Sequence, residues 1–240
     1  GYTITHGTIS ETYLAPGTNT PGSQGGTAQG ANRITGVVVP ANTQATDYLF
    51  AKVPQARVGI AKAVQAGPAV NADGSFSTTF RLTVRNPSLE GLSAMTVTDP
   101  LAGAAPAFGT QVTTGSPATA PLAAGTYTML AAPSGTCGGL NGGFDGSGDT
   151  TVASGFALAA GATCTIDIAV RVQPTAPLPP VLSGGARYLN QATVEGTGAL
   201  SGQTSATNPQ LTDPSDNGTN ADADGNGRSN EAGENDPTPV

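Results

Sequence analysis

The sequence is short of charge. Only 10% of its 240 residues are Asp, Glu, Lys or Arg, where about a quarter is usual in globular proteins. It has no tryptophan, one histidine (His6) and two lysines, Lys52 and Lys62. Each shortage excludes something. With 9 basic residues against 16 acidic ones and a net charge of −7, there is no basic surface to neutralise phosphates, so no nucleic-acid partner is expected. One histidine near a terminus cannot build a histidine metal centre. It is also the only imidazole available as a base to the many Ser and Thr hydroxyls, so no enzymatic reaction is expected. No stretch approaches the roughly 18–20 consecutive apolar residues of a membrane-spanning helix. The opening Gly1-Tyr2-Thr3-Ile4 has no initiator Met, basic stretch or apolar signal core and reads as a processed or excised piece.

What the chain has is 34 glycines, 19 prolines and 37% hydrophobic residues, the last gathered in short runs between Gly, Pro, Asn and Thr. Ile34 to Val39 and Tyr48 to Val53 are apolar, β-branched or aromatic runs ended by prolines. Val58, Ile60, Lys62 and Val64 share one face of an alternating strand. Asn71-Ala72-Asp73-Gly74 is a turn, followed by Phe76, Thr78, Phe80, Leu82 and Val84 alternating with polar residues. Met95 to Asp99, Tyr127 to Leu130, Phe156 to Leu158, Thr163 to Val172 and Tyr188 to Val194 complete the series. Many short strands with turn signals and no helical period predict an all-β fold, a sandwich of antiparallel sheets.

The charge is uneven. Residues 1–206 carry 9 acids and 8 bases, whereas residues 207–240 carry 7 acids and one base, Arg228. A sparsely charged body of Thr, Ser, Gly and Ala is a secreted kind of composition. In that setting Cys137 and Cys164, closing a 28-residue loop, read as a disulfide, the alternative being two unrelated buried thiols. Their spacing and the lack of histidine speak against a zinc site.

Residues 57–240 resemble the conserved-repeat domain of bacterial surface proteins known as domain of unknown function 11. The stretches that carry the resemblance are Gly59-Ile60-Ala61-Lys62-Ala63-Val64, Gly74 to Asn86 with Val97-Thr98-Asp99, Phe144-Asp145-Gly146-Ser147-Gly148-Asp149-Thr150, and Leu189-Asn190-Gln191-Ala192-Thr193-Val194 with the tail from Gly233 to Val240. The resemblance implies an immunoglobulin-like sandwich strung in series on secreted or cell-surface proteins, and no catalysis. The expected organisation is an extended amino-terminal segment (1–56), a sandwich (57–206) and an acidic tail (207–240). The amino-terminal segment lies outside the resemblance. Its runs either donate strands to a neighbour or add strands to the same sandwich.

The tail contains Asn220, Asp222, Asp224, the carbonyl of Asn226, and Glu231 at relative positions 1, 3, 5, 7 and 12 of a calcium loop, with Gly225 at position 6. Alternate side chains of a tight loop converge on one hard cation, and a carboxylate closes the sphere. A second register runs Asp222, Asp224, Asn226 and closes on Glu234, and Asp213 and Asp216 are further possible ligands. Without flanking helices this would be a weak extracellular calcium site, of about 10⁻⁴–10⁻³ M. The alternative is a solvated acidic linker with no ion.

One further constellation involves Lys62, which alternation points inward. Asn190 lies on the inward face of the last strand, and Asp99 on that of Met95 and Val97. A buried lysine beside an asparagine, with a carboxyl to move protons, resembles the intramolecular isopeptide cross-link of Gram-positive pilins and adhesins. The alternative has Lys62 snorkelling at an edge and Asn190 bonding backbone.

Two functions fit these features. One is a non-enzymatic building block of a bacterial extracellular fibre or surface array, whose partners are copies of itself or neighbouring repeats. The other is an adhesin or binding module of a large cell-surface protein, using loops 101–125 and 133–155. With 5% aromatic residues, the second has no evident platform for stacking a sugar.

Overall fold

The computed structural model describes residues 1–7, 14–30, 32–102, 126–173 and 188–240. Most of the loop 101–125 considered above lies outside the described residues. The chain divides into two compact units, Gly1–Gln55 and Ala56–Val240.

The first unit is made of short strands: β1 (Tyr2–Thr5), β2 (Leu14–Pro16), β3 (Thr27–Gln29), β4 (Arg33–Val37) and β5 (Lys52–Pro54). β4 is central in a three-stranded antiparallel sheet, with β1 and β3 at its edges, and β2 pairs with β5. Ile34 and Val37 are its buried anchors. The edge strands are polar and exposed, with Tyr2 65% accessible.

The second unit is an all-β sandwich. One sheet contains β6 (Gly59–Val70), β7 (Phe76–Arg85), β9 (Tyr127–Met129), β10 (Ser134–Gly135), β12 (Thr163–Val172) and β16 (Asp216–Asn217). β12, β7 and β6 run side by side, β9 and β10 pair with β12, and β16 lies along β6. The other sheet is β11 (Thr151–Leu158), β8 (Leu92–Thr98), β14 (Thr193–Gly198) and β15 (Thr212–Pro214), in that order. A two-stranded pair joins β13 (Leu189–Asn190) to β17 (Thr238–Pro239). The ladders of the sandwich are antiparallel except β16 on β6, which is parallel.

Alternation decides which face is buried. Phe80, Leu82 and Val84 of β7 and Ile166, Ile168, Val170 and Val172 of β12 face the core, where they meet Met95 and Val97 of β8, Phe156 of β11 and Val194 of β14. Thr79, Thr83, Arg81 and Asp167 face outward, and Arg81 forms a two-pronged ion pair with Asp167 directly across the ladder. That pair holds the Asp167 carboxyl below its ordinary range. At the margin of the core, Cys137 and Cys164 form a disulfide, and both are buried.

The loops are held by polar side chains. Asn86, fully buried where β7 ends, donates its amide to the carbonyls of Glu90, Leu158 and Ala159 and accepts from Ser88 N. In Asn86→Asp a carboxylate would face three carbonyl oxygens. We expect a loss of about 2–3 kcal/mol in chemical denaturation, since buried acceptors left without a donor lose most of their hydration energy. Asn86→Ala should fall on the same side and be milder.

Candidate functional site

Two groups of polar side chains sit inside the sandwich unit. The first is centred on Lys62, near the start of β6. Arg57, Val58, Ile60, Ala61 and Lys62 are all buried, so the start of this strand is covered on both faces. Lys62 has no exposed surface, and neither do Asp99 and Asn190. Its Nζ donates to Asp99 Oδ2 and to Asn190 Oδ1, and it stands 4.4 Å from the centre of the Phe80 ring.

Three elements deliver these groups. Alternation in β6 turns Lys62 inward, and Lys62 is opposite Leu82 of β7. Asp99 follows directly after β8, its N–H fixed by Thr150 O at 2.8 Å. Asn190 ends β13 and is opposite Thr238 of β17. The Asn190 amide nitrogen donates to Pro100 O at 3.0 Å, so the carboxamide oxygen faces the lysine. Asp99 Oδ1 is buried and accepts no hydrogen bond. Burial pulls the Lys62 amine well below the usual lysine range, and the attraction of Asp99 offsets this only in part. The structure therefore brings together all three members of this sequence constellation.

The second group is the acidic segment, which is built into the sandwich unit. β15 extends one sheet and β16 the other. Leu211 and Asp213 are completely buried. Gly59 leaves room for the returning chain, since a Cβ there would sit 2.3 Å from Ser229 Oγ. Arg57 donates to Gly227 O at 2.6 Å, and Asn230 donates to Thr212 O at 2.9 Å.

Within this segment, oxygens of Asp222, Asp224 and Glu234 lie within 4.8 Å of one another. Asp222 Oδ2 accepts from Gly227 N, Glu234 Oε1 accepts from Asp224 N, and Asp224 accepts twice from Asn226. Asp222 Oδ1 and Glu234 Oε2 are buried without a partner. Gly225, at φ 74°, makes the turn that aims Asp222 and Asp224 the same way. Asn220 bonds the Asp222 backbone. Glu231 is engaged by Asn226 Nδ2 at 2.9 Å and by Arg228 at 3.4 Å. The converging carboxylates are thus those of the register that closes on Glu234.

A second acidic focus adjoins the sheet. Asp213 Oδ2 accepts from Ile60 N at 2.7 Å, while its Oδ1 is buried without a partner. Burial, with the added repulsion of Asp216 and Glu234, pushes its carboxyl up to about 8 against the Ile60 hydrogen bond. Asp216 and Glu234 are also raised, mainly by burial. All-oxygen donors of this kind suit a hard divalent cation, and the partnerless buried oxygens are the atoms such an ion would satisfy.

The carboxylates of loop 133–155 have another role. Asp145 accepts from Ser147 N and Asp149 N, and Asp149 accepts from Thr151 N and Asn141 Nδ2. These bonds hold both carboxyls below their ordinary range. They build the turn itself.

Sequence reasoning missed Arg57, Asn86 and Glu90, three buried polar residues that tie loops to the sandwich. Glu90, for instance, accepts from Leu200 N and Ser201 N. Nothing in the spacing of their neighbours marks these residues as buried. Among the described residues no helix is long and apolar enough to cross a membrane. The disulfide fits an oxidising, non-cytoplasmic compartment. No family model and no curated protein matches the chain.

Proposed function

We propose that this chain is a non-enzymatic structural building block of a bacterial extracellular fibre or surface array, with calcium stiffening its acidic segment. The observation that carries the reading is the acidic loop. Three carboxylates converge there, two of them with buried oxygens that have no hydrogen-bond partner. A solvated linker would leave such groups in water. Buried carboxylates without cations repel one another and stay dehydrated, and a bound calcium relieves both penalties. Asp222, Asp224 and Glu234 would hold the ion, with Asn226 and Asp213 near enough in sequence or charge coupling to assist. The resemblance to serially repeated bacterial surface domains agrees with this role.

Strand addition is the proposed means of joining. β1 and β3 are short edge strands with exposed side chains, and an open edge offers N–H and C=O groups to a neighbour's strand. The full chain should then assemble into filaments visible by negative stain, and a chain lacking residues 1–56 should remain monomeric. Polymerisation of the truncated chain would remove this segment from the joint.

Calorimetric titration of the full chain tests the calcium site. Binding of about 10⁻⁴–10⁻³ M is expected. Calcium at ten times the dissociation constant should stabilise the chain by about 1.4 kcal/mol. Glu234→Gln should abolish most of that gain. No binding heat and an unchanged melting temperature at millimolar calcium would end the reading.

A further inference from the structure

We propose that Lys62 and Asn190 become joined by an intramolecular amide bond, formed spontaneously in the folded chain with Asp99 as the proton carrier. This goes beyond the calcium and assembly reading and does not depend on it.

An amine, a carboxamide and a carboxyl group meet in a site with no exposed surface on any of the three. The lysine nitrogen touches both partners at once. The carboxamide is fixed through its nitrogen on Pro100 O, which turns its carbonyl towards the amine. Phe80 covers the lysine nitrogen. With water excluded, the amine has no competing nucleophile and the amide product no hydrolytic route. Holding the reactants in contact replaces a bimolecular encounter by a unimolecular step, worth many orders of magnitude in rate.

The atoms balance with no outside reagent. The Lys62–Asp99 pair first exchanges its proton, leaving a neutral amine beside a carboxylic acid. The Nζ lone pair adds to Asn190 Cγ while Asp99 protonates Oδ1. Asp99 then takes a proton from Nζ and passes it to Nδ2. The Cγ–Nδ2 bond breaks and ammonia leaves. The proton on Oδ1 returns to Asp99, which is left as the neutral acid holding the proton that Lys62 first carried, and it regains its charge when that proton leaves with the ammonia as ammonium. The product is one Nζ–Cγ amide and one ammonia. Lowering of the amine's basicity by burial supports the first exchange.

The main chain reinforces the alignment. The Lys62 carbonyl accepts from Thr238 Oγ1 at 2.7 Å and from Gly218 N at 2.9 Å, so the last part of the chain docks on the reacting residue itself. The bond would join the first strand of the sandwich, β6, to the residue that ends β13, 128 positions on.

Mass spectrometry of the denatured, disulfide-reduced full chain is the test. We expect a mass lower than that of the sequence by one ammonia. Asn141-Gly142, Asn217-Gly218 and Asn226-Gly227 could each lose ammonia by succinimide formation, so the loss must be located. After tryptic digestion the expected product is one branched peptide joining the segments around residues 62 and 190, with no cleavage after Lys62. Asp99→Ala and Asn190→Ala should both restore the unmodified mass at the branch. Because wild-type protein alone decides the question, a variant that fails to fold leaves the test intact. An unmodified mass, or an ammonia loss mapped to one of the Asn-Gly pairs with Lys62 cleavable, would overturn the proposal and leave a buried ion pair.

Discussion

Calcium-free protein should lose thermal stability as pH rises from about 5 to about 9, and millimolar calcium should flatten that dependence. The sign follows from Asp213, whose carboxyl is pushed from an ordinary 3.8 up to about 8, chiefly by burial. The folded chain keeps this proton through a range in which the unfolded chain has released it. The contribution is therefore fully present below the ordinary carboxylate range and is lost as pH climbs through about 8. One unit of separation is worth about 1.4 kcal/mol, so Asp213 alone can move stability by about 3–6 kcal/mol. The upward shifts of Asp216 and Glu234 act in the same direction. A calcium ion can take over the proton's role of cancelling charge, which is why it should remove the slope. Melting temperatures measured across this range with chelator, with calcium and in Asp213→Asn give the answer. The variant should lose most of the slope and keep only the smaller part that Asp216 and Glu234 contribute. A melting temperature independent of pH in chelator would contradict the whole account.

Loss of the Cys137–Cys164 bond is the second large effect. The two residues are 27 apart in sequence, and closing a loop of that size removes unfolded-state entropy worth about 3–4 kcal/mol. For a unit of this size each kcal/mol shifts the transition by about 2–4 °C. The Cys137→Ala/Cys164→Ala chain should therefore melt lower by roughly 7–15 °C. Native structure should persist, because both positions lie at the margin of a core held by β7, β12, β8 and β11. Scanning calorimetry of the variant, compared with wild type under reductant, measures the effect. Equal melting temperatures for oxidised and reduced wild type would show that the loop is already constrained without the bond.

The long strands were legible because their alternation is strict. Phe80, Leu82 and Val84 and then Ile166, Ile168, Val170 and Val172 have no interruption, and all are buried as the period requires. The same rule placed Lys62 inside, and it was enough to collect Asp99 and Asn190 as partners. The short elements of the tail were not legible, although three-residue β9 was, within the run Tyr127 to Leu130. β15, β16 and β17 span Thr212–Pro214, Asp216–Asn217 and Thr238–Pro239, too short and too polar to show a period. They exist because larger strands offer them an edge. Composition set residues 207–240 apart by charge, whereas Leu211 and Asp213 belong to the interior. In the acidic loop the residue types were readable, but not which glutamate turns inward. Arg228 lies three residues from Glu231 and engages it, and Glu234 lies over Asp224 N. That choice depends on side-chain packing rather than on spacing.

The parallel pairing of β16 with β6, Asp216 opposite Ala61 and Asn217 opposite Lys62, has a mechanical meaning. Consider a tensile load applied to the two ends of the sandwich unit. β6 is drawn towards its amino end and β16 towards its carboxyl end, once β17 and the acidic loop have been peeled away. In a parallel pair those pulls are opposed along the strand axis, so the hydrogen bonds are sheared together. An antiparallel pair at the same place would open from one end, one bond at a time. This contact of the tail is thus arranged as a shear latch on the strand that carries Lys62.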